Sequence, residues 1–221
     1  MVRLRSATVA LGMSTFLAIG STAGAQITPQ GTFGSLPGAT FGGTGIPNNA
    51  VMKGGTNSAV IGLTATQRYT APAVSNDGAG NYFATPGAPD PAHTNYAGWN
   101  FDFYANPGNS GSTFKLFVDR DPGSGTSYNE FSFTSSATTQ DSWNEGFGFF
   151  TGTFDPNANG IYSFKLVQYA PGGDGGLGAE QAQVAMNVYV GTTTTPEPSS
   201  LALLGTGFVG LGGIFKRRRK A

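Results

Sequence analysis

The chain has 221 residues, of which 35 are Gly and 13 Pro, and only 11% are charged. There is no Cys and a single His, which excludes disulfide frameworks, thiolate metal sites, Cys nucleophiles and His-rich metal centres. The formal net charge is zero, with 12 Lys and Arg against 12 Asp and Glu, so charge-driven disorder is excluded too, and the length allows one domain or two small ones.

The zero is an average. Arg3 and Arg5 stand at one end and Lys216, Arg217, Arg218, Arg219 and Lys220 at the other, while every acidic residue lies between Asp77 and Glu197. The body of the chain is therefore acidic. It repels phosphate backbones, which argues against nucleic acid as a partner.

At the N-terminus a basic stub precedes the apolar run from Ala7 to Ile19, and small residues follow, ending in Ala23-Gly24-Ala25. A charged region, a short apolar core and an A-x-A site predict a secretory signal helix over residues 1–25, cleaved between Ala25 and Gln26. Residues 26–49 are rich in Gly, Thr and Pro, with Phe33 and Phe41 as apolar anchors. They read as an irregular leader with at most one edge strand.

Residues 50–191 read as strands. The run from Val60 to Tyr69 is β-prone, and Asn76-Asp77-Gly78 supplies a turn before Tyr82 and Phe83. Trp99, Phe101 and Phe103 alternate with Asn100, Asp102 and Tyr104, which predicts one apolar face and one wetter face. Phe114, Leu116 and Val118 repeat the alternation, then Phe131 and Phe133, then Phe147 and Phe149, then Tyr162, Phe164 and Leu166, and last Val184 to Val190. Turn signals such as Asn106-Pro-Gly-Asn109 and Asp121-Pro-Gly123 separate these runs. Short alternating strands punctuated in this way predict an all-β domain, an antiparallel β-sandwich of jelly-roll type. Ala179 to Met186 has some helix propensity, but the β-branched run after it favours a strand.

After this body, residues 192–198 form a polar linker ending in Pro196-Glu197-Pro198. Residues 199–215 carry no charge and are just long enough for a transmembrane helix. The basic tail, residues 216–221, is expected to stay cytoplasmic, because carrying Lys216, Arg217, Arg218, Arg219 and Lys220 through an apolar membrane is costly.

A Pro-Glu-Pro triplet, a Gly-rich membrane segment and a terminal Arg cluster, in that order, resemble the PEP-CTERM sorting signal of exported bacterial proteins. The resemblance covers the C-terminal end alone. It implies recognition and removal of the tail by exosortase, a membrane-embedded cysteine peptidase, with Pro196, Glu197 and Pro198 as the recognised residues. It further implies a Gram-negative bacterium that makes extracellular polysaccharide, export across the inner membrane, a transient anchor there, and a final place at the cell surface or outside. The secretion machinery would be the second partner. The two prolines keep the segment extended, in a form that can enter a peptidase site at the membrane surface.

Candidates for chemistry in the body each have a plainer alternative. Asp155-x-Asn157-x-Asn159-Gly160 matches the first half of a calcium loop. Leu166 stands where the bidentate Glu should be, so a turn held by Asx side chains is the simpler reading. Asp119 and Asp121 flank a turn and are weak Ca²⁺ candidates; no other metal and no cofactor is expected. The glycines from Gly172 to Gly178 lack a following Lys-Ser or Lys-Thr, which speaks against a phosphate loop. His93 reads as a surface residue, with no Gly-x-Ser-x-Gly elbow to complete a triad. A carboxylate pair such as Asp141 and Glu145 could serve glycoside hydrolysis in principle, but acid pairs are common by chance. Trp143 is a carbohydrate platform or a member of the core. The expectation for the whole chain is a non-enzymatic exported protein of the cell surface or extracellular matrix. The alternatives are an exopolysaccharide-binding module, with or without help from Ca²⁺, and a polysaccharide hydrolase.

Overall fold

A computed structural model describes residues 27–191 except 44, 57, 109–110, 124 and 173–175. The expected signal segment with its Ala23, Ala25 and Gln26 cleavage site, the linker with Pro196 to Pro198, the membrane segment and the basic tail lie outside the described residues.

The described residues contain strands and no helix. In chain order the strands are β1 (Thr32–Gly34), β2 (Val51–Thr56), β3 (Ala59–Gln67), β4 (Ser75–Asn76), β5 (Asn81–Ala84), β6 (Trp99–Asn106), β7 (Ser112–Asp119), β8 (Tyr128–Ser135), β9 (Thr139–Trp143), β10 (Gly160–Pro171) and β11 (Leu177–Val190). They make a five-stranded sheet, β1-β2-β3-β6-β9, and a six-stranded sheet, β4-β5-β11-β10-β7-β8. Every pairing is antiparallel except β5 with β11, where Asn81 to Ala84 run parallel to Asn187 to Val190.

The two sheets face each other because the alternation of the sequence gives each an apolar side. Trp99, Phe101 and Phe103 from β6 meet Tyr162 and Phe164 from β10 and Phe133 from β8. Phe101 stacks on Phe164 at 4.5 Å between ring centroids. Leu63, Leu116, Leu166, Met186 and Val188 fill the same core. Burial of this aromatic and aliphatic surface is the main stabilising force of the fold, at about 25 cal/mol per Å² removed from water.

The predicted wet face of β6 is a different matter. Asn100, Asp102 and Tyr104 are buried: Asn100 is bonded to Arg68, Ser142 and Asn144, and Tyr104 is covered by the segment that carries Leu36, Ala39 and Phe41. Leu36, Ala39, Phe41 and Val51 form a second apolar cluster around Tyr104. Phe41 adopts a left-handed backbone (φ 47°), and both its N–H and that of Thr40 donate to Gln140 Oε1 at 2.8 Å. Lys53 on β2 donates from Nζ to Ser35 O at 2.7 Å. The Gly/Thr/Pro-rich stretch is thus a lid over a sheet, and β1 extends that sheet at its edge.

A second correction concerns Phe147 and Phe149. They are not a strand; the strand in this region is β9, which ends at Trp143. Phe147 N–H donates to Asn144 O and Phe150 N–H to Phe147 O, so successive turns carry the chain here. Gly146 allows it, since a Cβ at this position would stand 2.0 Å from Asn95 O. At the end of the chain, Ala179 to Met186 belong to β11, as the β-branched run favours.

Candidate functional site

One end of the five-stranded sheet carries an array of aromatic rings that reaches solvent. β3 ends at Gln67, and the next four residues form a turn closed by Ala71 N–H to Arg68 O at 3.1 Å. Tyr69 sits in this turn with φ 49°. A left-handed conformation costs an aromatic residue on the order of 1 to 3 kcal/mol, and it persists only where the surroundings fix it. Here they do: Thr70 Oγ1 donates to Pro89 O at 2.9 Å, and Arg68 N–H donates to Gly98 O at 3.0 Å. The result is a tyrosine ring held outward, 53% exposed.

From Tyr69 the rings run on in short steps. His93 follows at 4.6 Å, Tyr96 at 5.6 Å from His93, Phe147 at 5.7 Å from Tyr96, and Phe149 at 5.6 Å from Phe147. Phe149 is again 53% exposed. The Arg68 guanidinium lies against three of these rings, 4.4 Å from Tyr69, 4.7 Å from Tyr96 and 5.3 Å from Phe147. It is fixed by a bond from Nη1 to Asn100 Oδ1 at 3.2 Å and from Nη2 to the Tyr69 hydroxyl at 3.0 Å. Such cation–π contacts are worth about 0.5 to 2 kcal/mol each. The predicted surface His93 bonds through Nδ1 to the Asp90 carboxylate at 2.8 Å. A cleft of about 170 Å³, lined by Ala92 to Tyr96, opens beside it.

Trp143 stands between this array and the core. Its ring makes edge contacts with Phe101, Phe103, Phe131, Phe149 and Phe150 at 5.0 to 6.1 Å. Its Nε1–H donates to Asp141 Oδ2 at 2.9 Å. Trp143 is half-buried, and Phe149 is the ring beside it that faces water. Sequence reasoning missed Tyr69, Tyr96 and Phe149 as a set, because the three loops that carry them are far apart in the chain.

The carboxylates named above are placed apart. Asp141 is on the surface, whereas Glu145 is fully buried. Arg120 Nε donates to Glu145 Oε2 at 3.1 Å, and its terminal nitrogens donate to the carbonyls of Glu145, Thr151 and Gly152. Burial pushes the Glu145 carboxyl above its ordinary range and Arg120 pulls it back. Asp119 is buried and accepts from Asp121 N–H at 3.1 Å and Ser127 N–H at 2.9 Å. Asp121 instead accepts from Gly123 N–H at 2.8 Å. Asp155 Oδ1 accepts from Asn157 N–H at 2.9 Å, the geometry of an Asx turn. Among the described residues, no group of three or more His, Asp or Glu is placed to hold a metal ion.

A second cleft, about 450 Å³, lies where the lid meets β3, lined by residues including Ile46, Asn49, Thr64, Thr66 and Val74. Beside it Asp102 is buried between Thr64 and Ser142 on the neighbouring strands. Neither carboxyl oxygen has a hydrogen-bond partner. Burial drives its pKa up to about 7.

Among the described residues no helix is long and apolar enough to cross a membrane. The comparison with protein families places a PEP-CTERM protein-sorting motif at residues 194–220. That motif carries an implication of export, membrane-anchored sorting in Gram-negative bacteria and processing by exosortase. Comparison with curated proteins and with solved structures gives no match.

Proposed function

We propose that this chain is an exported protein of the cell surface or extracellular matrix, non-enzymatic, whose working part is the β-sandwich and whose tail is a disposable address. Residues 1–25 direct secretion, residues 199–215 hold the protein in the inner membrane, and exosortase cuts near Pro196 to Pro198. The observation that carries this reading is the sorting motif at 194–220, which begins just after β11 ends at Val190. A cut near Pro196 to Pro198 falls beyond β11 and leaves the strands of the described residues whole.

A role without catalysis is supported by where the acids sit. Glu145 is tied to Arg120 and sealed from solvent, and Asp141 is bonded to Trp143. A hydrolase would need two carboxyl groups facing one cleft across a scissile bond. The second reading, a carbohydrate-binding module, is favoured by one observation, the solvent-facing aromatic array from Tyr69 to Phe149.

The test is Glu197→Ala. A peptidase choosing among apolar tails needs a polar landmark, and Glu197 is the only charged residue between Glu180 and Lys216. The variant is expected to stay unprocessed in the inner membrane. Normal release at the processed mass would overturn recognition through this residue.

A further inference from the structure

We infer that the aromatic array from Tyr69 to Phe149 is a preformed binding site for a neutral polysaccharide, an inference that rests on the carbohydrate-binding reading above and assigns it a site. Two of the three exposed large apolar side chains among the described residues, Tyr69 and Phe149, form the two ends of the array. His93, Tyr96 and Phe147 join them in contacts of 4.6 to 5.7 Å. Exposed apolar surface that is continuous, and not scattered singly, marks a binding surface.

The array is rigid before any ligand arrives. Arg68 is packed against the Tyr69, Tyr96 and Phe147 rings. Asn144, fully buried, joins the loop of His93 and Tyr96 to that of Phe147 and Phe149: its Oδ1 accepts from Ala97 N–H and Gly146 N–H, and its Nδ2 donates to Ala97 O and Trp99 O. Tyrosine and phenylalanine lose little side-chain entropy when they are already fixed, so contact with a ligand adds binding free energy with little ordering cost.

The chemistry of the ligand follows from what lies around the rings. Flat apolar faces accept the C–H face of a sugar ring. Asp90, paired with His93, and the Thr94 and Asn95 side chains stand at the edge, beside the cleft of about 170 Å³. These are hydrogen-bonding groups of the kind that hydroxyls need. The Arg68 charge is engaged with Asn100, the Tyr69 hydroxyl and three rings, which leaves it poorly placed to hold an anion. The body of the protein is acidic, so polyanions and anionic lipid surfaces are repelled. A neutral chain of hexose rings satisfies all of these conditions.

Affinity electrophoresis of the full-length chain, in a detergent without a sugar headgroup, tests this with mixed-linkage β-glucan, galactomannan and dextran as probes. At least one probe is expected to retard the protein. Tyr69→Gly removes the ring and suits the left-handed backbone; it should weaken retardation about tenfold, the scale of one lost aromatic stacking contact. Phe149→Ser should do the same, while Leu177→Ser should not. Circular dichroism and a urea midpoint confirm that each variant folds. No retardation by any of the three probes would overturn the proposal, as would unchanged retardation of both ring-deleting variants. Binding to uncharged phosphatidylcholine vesicles in place of the glucans, lost in the same variants, would show an apolar lipid patch and overturn it too. None of these substitutions touches the tail, so the secreted mass reports on sorting separately.

Discussion

Asn144 and Ala97 are joined as two amides of a sheet are joined. The Asn144 side chain accepts from Ala97 N–H at 2.9 Å and donates back to Ala97 O at 3.0 Å, inside a fully buried site. One side chain thereby satisfies the backbone of a loop 47 residues earlier in the chain. It also fixes the spacing of the Tyr96 and Phe147 rings on either side of it.

Replacing this amide should be expensive. Asn144→Ala leaves the N–H and C=O of Ala97 buried and unpaired, at about 1 to 3 kcal/mol each. A loss of roughly 3 kcal/mol in urea unfolding is expected. Asn144→Asp keeps the acceptor but loses the donor to Ala97 O, Trp99 O and Asn100 Oδ1. It should be destabilised at neutral pH and partly recover in acid, where the carboxyl regains a proton to donate. A loss below 0.5 kcal/mol in both variants would contradict the role given to Asn144.

Asp102 gives the fold a pH dependence of known sign. Its carboxyl has an ordinary value of 3.8 and is raised to about 7 in the folded protein, chiefly by burial. A folded value above the unfolded one means that the folded state holds the proton more tightly. The stabilising contribution is whole below about pH 3.8 and is lost as pH rises through about 7. At roughly 1.4 kcal/mol per unit, the loss is on the order of 4 kcal/mol. Asp102→Asn removes the charge at nearly constant shape. Urea midpoints at pH 5 and pH 8.5 should show Asp102→Asn more stable than the parent at the higher pH, with a flatter dependence. Parallel profiles for the two proteins would rule the assignment out.

Arg120 and Glu145 should behave as a unit. Arg120→Met strands a fully buried carboxyl and frees the carbonyls of Thr151 and Gly152. Removing one partner of a buried pair typically costs about 3 to 5 kcal/mol. Arg120→Met combined with Glu145→Gln takes away the stranded charge and should recover part of that loss. A double variant whose loss equals the sum of the two single losses would show that the contact carries no coupling.

Much of the sandwich is legible in the sequence, because its signal is local. Phe114, Leu116 and Val118 alternate with half-buried Thr113, Lys115 and Phe117 along β7, as a period of two requires. Trp99, Phe101 and Phe103 face the core for the same reason. What the alternation cannot carry is which outer faces will be covered. Tyr104 looks wet until Leu36 and Phe41 are laid over it, and that cover includes a left-handed Phe41 bonded to Gln140; Asn100 looks wet until Arg68 and Asn144 bond to it. Phe147 and Phe149 keep the spacing of a strand, yet Gly146 and Asn144 turn the chain. The aromatic array is hidden in sequence for the same reason. Tyr69, Tyr96 and Phe149 come from three separate turns, brought together by the contacts of Arg68 and Asn144 and by the Phe147 ring between Tyr96 and Phe149. The tail is the opposite case. Pro196-Glu197-Pro198, the apolar run and the basic cluster lie within one short segment, so the signal needs no fold to be seen.

The account stands or falls on the fate of the two ends, and intact-mass measurement of the protein in membrane and released fractions reads both at once. The membrane fraction should hold a chain that begins at Gln26 and still carries Leu201 to Ala221. The released fraction should hold a chain that begins at Gln26 and ends close to Pro196 to Pro198. A released protein that retains Leu201 to Ala221, or an exported one that retains Met1, would contradict the account.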